Sequence, residues 1–221
     1  MTPPPTTPGT SHAFATKKVT AARGPEPRQD RAVRTKAVVL RAAAHLFATR
    51  GFRHTSVKDV AEAVEMTKGA VYFHYPTKEA LAVAVVEAHY AEWPKLLDQV
   101  RELGLAPLET ALAMLDGAAL AFRDNAIVQG GARLQIERPH IDAELPTPYV
   151  DWMNLLRDLL EQARDQGQLA DSVDPVAAAR TLVASFFGVQ HVSDVLAGRA
   201  DLEERWTESR TLFLAALRRQ P

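Results

Sequence analysis

The 221 residues and 24.2 kDa suffice for one large domain or two small ones, and a chain 47% hydrophobic and 24% charged is neither fibrous nor disordered. Zero cysteines exclude disulfide scaffolds, thiol nucleophiles and thiolate metal sites, and no apolar run reaches the roughly 18 residues of a membrane span. The net charge of -1 divides unevenly: residues 1–78 carry 13 Lys and Arg against 5 Asp and Glu (net +8), residues 79–221 carry 13 against 22 (net -9), which points to a polyanion, nucleic acid first, as partner of the basic part.

The first 30 residues hold six prolines and no apolar core segment, so no secretory signal is expected and the chain is placed in the cytoplasm. Residues 1–28, rich in Pro, Thr, Gly and Ser with Lys17, Lys18 and Arg23, bury too little surface to order themselves and read as a flexible basic arm. From Arg31 the pattern turns helical: Val33, Ala37, Leu40, Ala44 and Phe47 recur at alternating spacings of four and three, and Gly51 offers the left-handed stop. A second, short helix begins after Ser56, with Asp59 at the reciprocal capping-box position and Val57, Val60, Ala61 and Val64 inward. Thr67 caps a third short helix from Lys68 to Phe73, and Pro76 ends it. Two short helices joined by a tight turn after a longer one form a helix-turn-helix, whose last helix can enter a DNA major groove.

Thr77 opens a much longer helix with Val83, Val86, Tyr90, Trp93, Leu97 and Val100 on one stripe, and Pro94 predicts a kink near Tyr90. Pro107 starts a helix with Leu108, Leu112, Leu115, Ala119 and Phe122 on one face, and a shorter one follows from about Ala126 to Glu137. Three prolines between Pro139 and Pro148 mark a loop. Tyr149, Trp152, Leu156, Leu159 and Ala163 line the next helix up to Gly167, Asp174 and Pro175 start the penultimate one, and the last spans roughly Leu202 to Arg218. The fold class is all-α, with about nine helices: a helix-turn-helix domain over residues 29–78 and a helical ligand-binding and dimerisation domain over 79–221.

The run from Thr55 to Leu81, and above all K-G-A-V-Y-F-H-Y-x-x-K-E-x-L, resembles the DNA-binding domain of the TetR family of bacterial repressors. Local chemistry supports the same reading. Thr67 and Lys68 stand at the positive end of the third helix, where phosphate or a guanine edge is within reach. Gly69 allows close approach to DNA, Ala70 and Val71 suit thymine methyl groups, and the Tyr72 hydroxyl suits a phosphate. Thr55, Ser56, His74 and Lys78 are expected as clamps on the DNA backbone, whereas Phe73 is expected in the core of the small domain. The turn position usually held by glycine in this family is Glu65, and a positive φ there carries a strain of about 1 kcal/mol.

In the second half, aromatic side chains with polar handles sit on inward stripes: Tyr90, Tyr149 and Trp152, with Gln135 to supply an amide. Aliphatic walls with phenol, indole and amide groups suit a small amphipathic molecule with an alkyl tail. The P-T-P-Y-V-D-W segment is similar to the corresponding part of γ-butyrolactone receptors of filamentous actinobacteria, in which a tryptophan of this helix lies against the ligand. The resemblance implies a repressor released by a diffusible signal, a γ-butyrolactone or an alkylfuran carboxylic acid, controlling secondary-metabolite (antibiotic) genes from a palindromic operator. A multidrug-type repressor with a broad pocket for cations is the alternative, and an acid-lined pocket would favour it. A small-molecule-binding enzyme is the remote one.

Val183, Phe186 and Phe187 beside the small Ala184, Ser185 and Gly188, with Trp206, Phe213 and Leu217 in the last helix, are expected to form a homodimer interface. No G-x-S-x-G, H-E-x-x-H or phosphate-cradling glycine loop occurs, so neither catalysis nor a cofactor is expected. His191 and Asp194 supply two ligands at most, too few for a metal site, and Glu87 and His89 point to different helix faces.

Overall fold

The computed structural model describes residues 28–219, in which ten α-helices and one 3-10 turn follow one another; the only β pairing among them is an isolated bridge between Leu169 and Arg218. The expected basic arm lies outside the described residues, apart from Arg28 at the start of the first helix.

Helix α1 (Arg28–Arg50) stops at Gly51, whose φ is +79°. Its buried face begins at Val39 and continues through Ala43, Ala44, Leu46 and Phe47, while Val33, expected on that face, is 63% exposed. Helix α2 (Val57–Ala63) opens on the expected capping box: the Asp59 N–H donates to Ser56 Oγ, and the Ser56 N–H donates to an Asp59 carboxylate oxygen at 2.7 Å. Helix α3 (Lys68–His74) starts at Thr67, whose hydroxyl oxygen accepts from the Ala70 N–H. Between α2 and α3, Glu65 takes a φ of +53°, the left-handed position anticipated for it.

The long kinked helix is two helices. Helix α4 (Lys78–Tyr90) ends at Ala91, and α5 (Glu92–Glu102) begins at once. Pro94 is the third residue of α5, where an N–H has no partner within the helix, so the missing donor costs nothing and the chain breaks ahead of it instead of bending. The break raises the helix number from nine to ten. Helices α6 (Pro107–Asp124) and α7 (Ala126–Ile136) follow, the Asn125 side chain capping α7. A 3-10 turn (Arg138–His140) interrupts the proline-rich segment before α8 (Val150–Asp165). Helix α9 (Pro175–Ala197) is capped by Asp174 and ends at Gly198 (φ +55°), and α10 (Leu202–Leu217) completes the chain.

Two apolar cores result. The first joins α1, α2 and α3 to Leu81, Ala82, Val85 and Val86 of α4 and to Leu134 of α7. The second is built by α5, α6, α8, α9 and α10 around Phe122, Trp152, Phe186 and Trp206. Polar staples close its outer side: Trp206 Nε1 donates to Asp116 at 2.7 Å, and Arg210 bridges Asp116 and Glu109. Val183, Phe186, Trp206 and Leu217, expected at a dimer surface, are buried inside this core of the single chain, and Phe213 packs partly against it. A helix has one best apolar side, and burying the largest side chains within the chain takes it first.

Helix α7 seats on both α1 and α4 through paired glycines. A methyl group on Gly130 would fall on the Ala44 carbonyl oxygen, 2.9 Å from the Ala44 Cα; one on Gly131 would lie 2.6 Å from His89 Cγ.

Candidate functional site

The helix-turn-helix, the expected reading head, presents α3 outward. Thr67, Lys68 and Gly69 are exposed, nothing but the Thr67 hydroxyl approaches a methyl built on Gly69, and Lys68 Nζ lies 5.5 Å from the Tyr72 ring. Lys68, Tyr72 and Lys78 share one open concavity with Arg53, His54, Ser56 and Lys58, a basic hollow suited to phosphate. Ala70 and His74 are half-buried, His74 with its ring edge-on to Phe73.

Three expectations for this domain need correction, those for Phe73, Thr55 and Val71, the last of which is fully buried and cannot meet a thymine methyl group. Phe73 is 82% exposed rather than part of the core, because Val71 and Tyr75 already fill the inner face of α3 and its end. Thr55 is buried, and its hydroxyl donates to the Gly51 carbonyl at 2.8 Å, so it braces the turn before α2 and cannot clamp DNA. Lys78 is half-buried with Nζ 4.0 Å from the Phe52 ring centroid; burial lowers its pKa against the opposing pull of Glu79 and Glu137. Ser56 stays exposed, with its hydroxyl committed to Asp59, whose pKa is lowered by that hydrogen bond first.

The four candidate ligand residues come together. Tyr90, Gln135, Tyr149 and Trp152 line one cavity of about 150 Å³ with His89, Trp93, Ile136, Pro148, Phe187, Gln190 and His191. Behind Tyr90, Trp93 and Trp152, a second cavity of about 310 Å³ is bounded by Pro94, Leu97, Asp151 and Leu155. The rings of Trp93 and Trp152, 5.2 Å apart, form the partition. Gln135 is 6% exposed; its Nε2 donates to the Tyr90 hydroxyl at 3.0 Å, and its Oε1 has no hydrogen-bond partner among the described residues. The indole N–H groups of Trp93 and Trp152 are likewise buried and unpaired. Each such group costs about 1–3 kcal/mol unless something pairs with it. Burial, then Asp151, raises the Tyr90 pKa, so the phenol stays protonated.

Tyr149 is not in the helix it was expected to line. It precedes α8 with a φ of +70°, a conformation that strains a residue with a Cβ, and its ring meets Phe187 at 4.7 Å on the cavity rim. Phe187, expected at a dimer surface, is therefore a wall of the cavity.

His89 and Gln190 were missed by sequence reasoning. His89 is buried among the rings of Tyr90, Trp93 and Phe122. Its Nδ1 lies 3.0 Å from the Val128 carbonyl, which can only accept, so Nδ1 carries the proton; burial lowers its pKa from 6.5 to about 4. The only signal was a histidine on an apolar stripe, which reads equally as core. Asp194 is engaged by Arg199 at 3.0 Å, and among the described residues no three metal-binding side chains cluster. No helix among them is long and apolar enough to cross a membrane.

Comparison with known proteins follows the same division. Residues 39–85 match the bacterial regulatory proteins of the tetR family, and residues 105–218 the tetracyclin repressor-like C-terminal domain. The A-factor receptor protein of Streptomyces griseus is 33% identical over 184 residues, 82% of this chain; the chain spans 63% of that protein's length. A structure solved for the molecular basis of control of antibiotic production by bacterial hormones is 60% identical, with a TM-score of 0.79 over 85% of this chain and 99% of that one. CprB of Streptomyces coelicolor, solved in complex with its biological operator sequence, is 26% identical, with a TM-score of 0.77 over 85% of this chain and 90% of that one. With the helix-turn-helix and the C-terminal helical domain both matched, the chain belongs to the TetR family of bacterial regulatory proteins.

Proposed function

We propose that the chain is a homodimeric repressor that holds a palindromic operator and releases it when a small amphipathic signalling molecule enters the two cavities between α4, α5 and α8. The observation that carries the ligand reading is the trio of buried polar atoms without partners. Trp93 Nε1 and Trp152 Nε1 would donate to the carbonyl or carboxylate of a ligand head, and Gln135 Oε1 would accept from its hydroxyl. The second, mostly apolar chamber suits an alkyl tail. A γ-butyrolactone and an alkylfuran carboxylic acid both meet this pattern. Asp151 is the one carboxylate lining either cavity, which gives little hold for a broad range of cations. Control of antibiotic genes is supported by the likeness to the 60% identical structure.

On DNA, Lys68 would reach a guanine edge or phosphate, and Phe73 would join Ala70 against thymine methyl groups, with Arg53, His54 and Lys58 as further phosphate partners. A second copy would dock on the exposed side of α9 and α10, where Ala184 and Gly188 allow close approach beside Val192, Val195 and Leu212. Pairing two heads one helical turn apart, about 34 Å, matches a two-fold operator.

Release requires the ligand to favour the DNA-free pose by about 5.5 kcal/mol to turn a 99:1 population around. Anisotropy of labelled DNA from upstream of its own gene tests the reading, titrated with protein at two salt concentrations and then with each ligand class. Salt-dependent binding reversed by one class is the expected result. Binding that neither class reverses would refute the signal, and no binding would refute the repressor. Trp152→Phe is expected to keep DNA binding and lose release.

A further inference from the structure

Cavity and reading head meet at the C-terminal end of α7. Gln135 is in the cavity wall, and two residues on Glu137, capping the helix, turns the other way. Its Oε2 accepts from the Phe52 N–H at 2.7 Å, and its Oε1 pairs with Arg133 Nε at 2.5 Å. The carboxylate comes in beside Gly51, where a methyl group would stand 2.9 Å from Glu137 Oε2. Burial alone would raise the Glu137 pKa, but Arg133 and the Phe52 N–H outweigh it and the pKa is lowered, so the group is anionic at neutral pH.

The turn it grips positions the head. Gly51 accepts the Thr55 hydroxyl just ahead of the α2 cap, and the Phe52 ring lies under Lys78 at the start of α4. At Gly130 the backbone of α7 meets that of α1 directly, and at Gly131 it sits against the buried His89 side chain of α4, so little is left to absorb a shift of α7.

We propose that Glu137 is a positioning residue: its grip on the Phe52 N–H holds the reading head in the operator-binding pose, and a ligand hydroxyl drawn to Gln135 Oε1 pulls the last turn of α7 and loosens that grip. The trigger rests on the ligand cavity proposed above; the grip itself does not. Operator coupling thus runs through α7.

Operator anisotropy on the full-length protein tests this with Glu137→Ala and Glu137→Gln, and thermal unfolding checks that each is folded; at a half-buried helix end both are expected to be. Without ligand, Glu137→Ala is expected to bind operator roughly tenfold more weakly. Glu137→Gln keeps an oxygen to accept the Phe52 N–H and is expected to stay within about threefold of wild type. With a γ-butyrolactone and an alkylfuran carboxylic acid as probes, the remaining operator binding of Glu137→Ala should respond less than that of wild type. Wild-type operator affinity in Glu137→Ala, an equal loss in Glu137→Gln, or undiminished ligand response in Glu137→Ala would each overturn the proposal. A wild type that neither probe releases, with the affinity pattern as expected, would remove the ligand trigger and support the grip.

Discussion

Acid should weaken this fold through His89. Its side chain is buried between aromatic rings and donates from Nδ1 to Val128, and its pKa falls from 6.5 to about 4, with burial the dominant cause against the Val128 hydrogen bond and the nearby Glu92. The unfolded chain takes up the proton near pH 6.5 and the folded chain does not, so stability is intact above that pH and is lost as pH falls from 6.5 towards 4. Between pH 7.5 and 5 this one group accounts for about 2 kcal/mol, rising to about 3 kcal/mol below pH 4. Urea unfolding at pH 7.5 and 5, followed by circular dichroism, should show wild type losing about 2 kcal/mol more than His89→Asn, whose amide can still donate to Val128 but does not titrate. The variant will start less stable because it fills less space, so only the difference between the two pH values matters. Equal losses in both proteins would mean that His89 is hydrated or already charged in the folded state, and the reasoning would fail.

Gly130→Ala places a methyl group against the Ala44 backbone, which cannot rotate away, and should cost about 1–3 kcal/mol in thermal unfolding. Gly117→Ala meets the end of the Leu96 side chain, which can rotate away, and should cost less; a reversed order would contradict the seating of α7 on α1. Lys68→Met should lower operator affinity and reduce the slope of log affinity against log salt by about one, and an unchanged slope would remove Lys68 from the phosphate contacts. Leu212→Asp, on a side chain 74% exposed in the single chain, should shift the protein towards monomer in analytical ultracentrifugation with its helicity retained. A full dimer would move the interface elsewhere.

Local signals in the sequence translated well. Ser56 with Asp59, Thr67, Thr77 and Asp174 each cap the helix they were expected to cap, because a cap depends on residues within one turn of itself. The aromatic residues with polar handles also met across distant helices, since a phenol or indole on an apolar stripe has few other uses. The stripes of α9 and α10 misled because apolar residues occur on more than one side of both helices. Which side faces inward is settled by what packs there, and Phe122 and Trp206 meeting Phe186 are far apart in the chain. Phe73 and Thr55 departed from expectation for a similar reason: in a helix only seven residues long, and in the turn ahead of another, neighbouring elements decide which side is covered.

The tryptophan placement gives the molecule a reporter of its own. Of three indoles in the chain, two form the wall between the chambers and the third, Trp206, is fully buried and tied to Asp116 on the far side of the core. A molecule entering either chamber changes the surroundings of the first pair and leaves the third as an internal standard. Occupancy of the cavities can therefore be followed by the intrinsic emission of the unlabelled protein, with Trp206→Phe lowering the constant background and either wall substitution removing the signal.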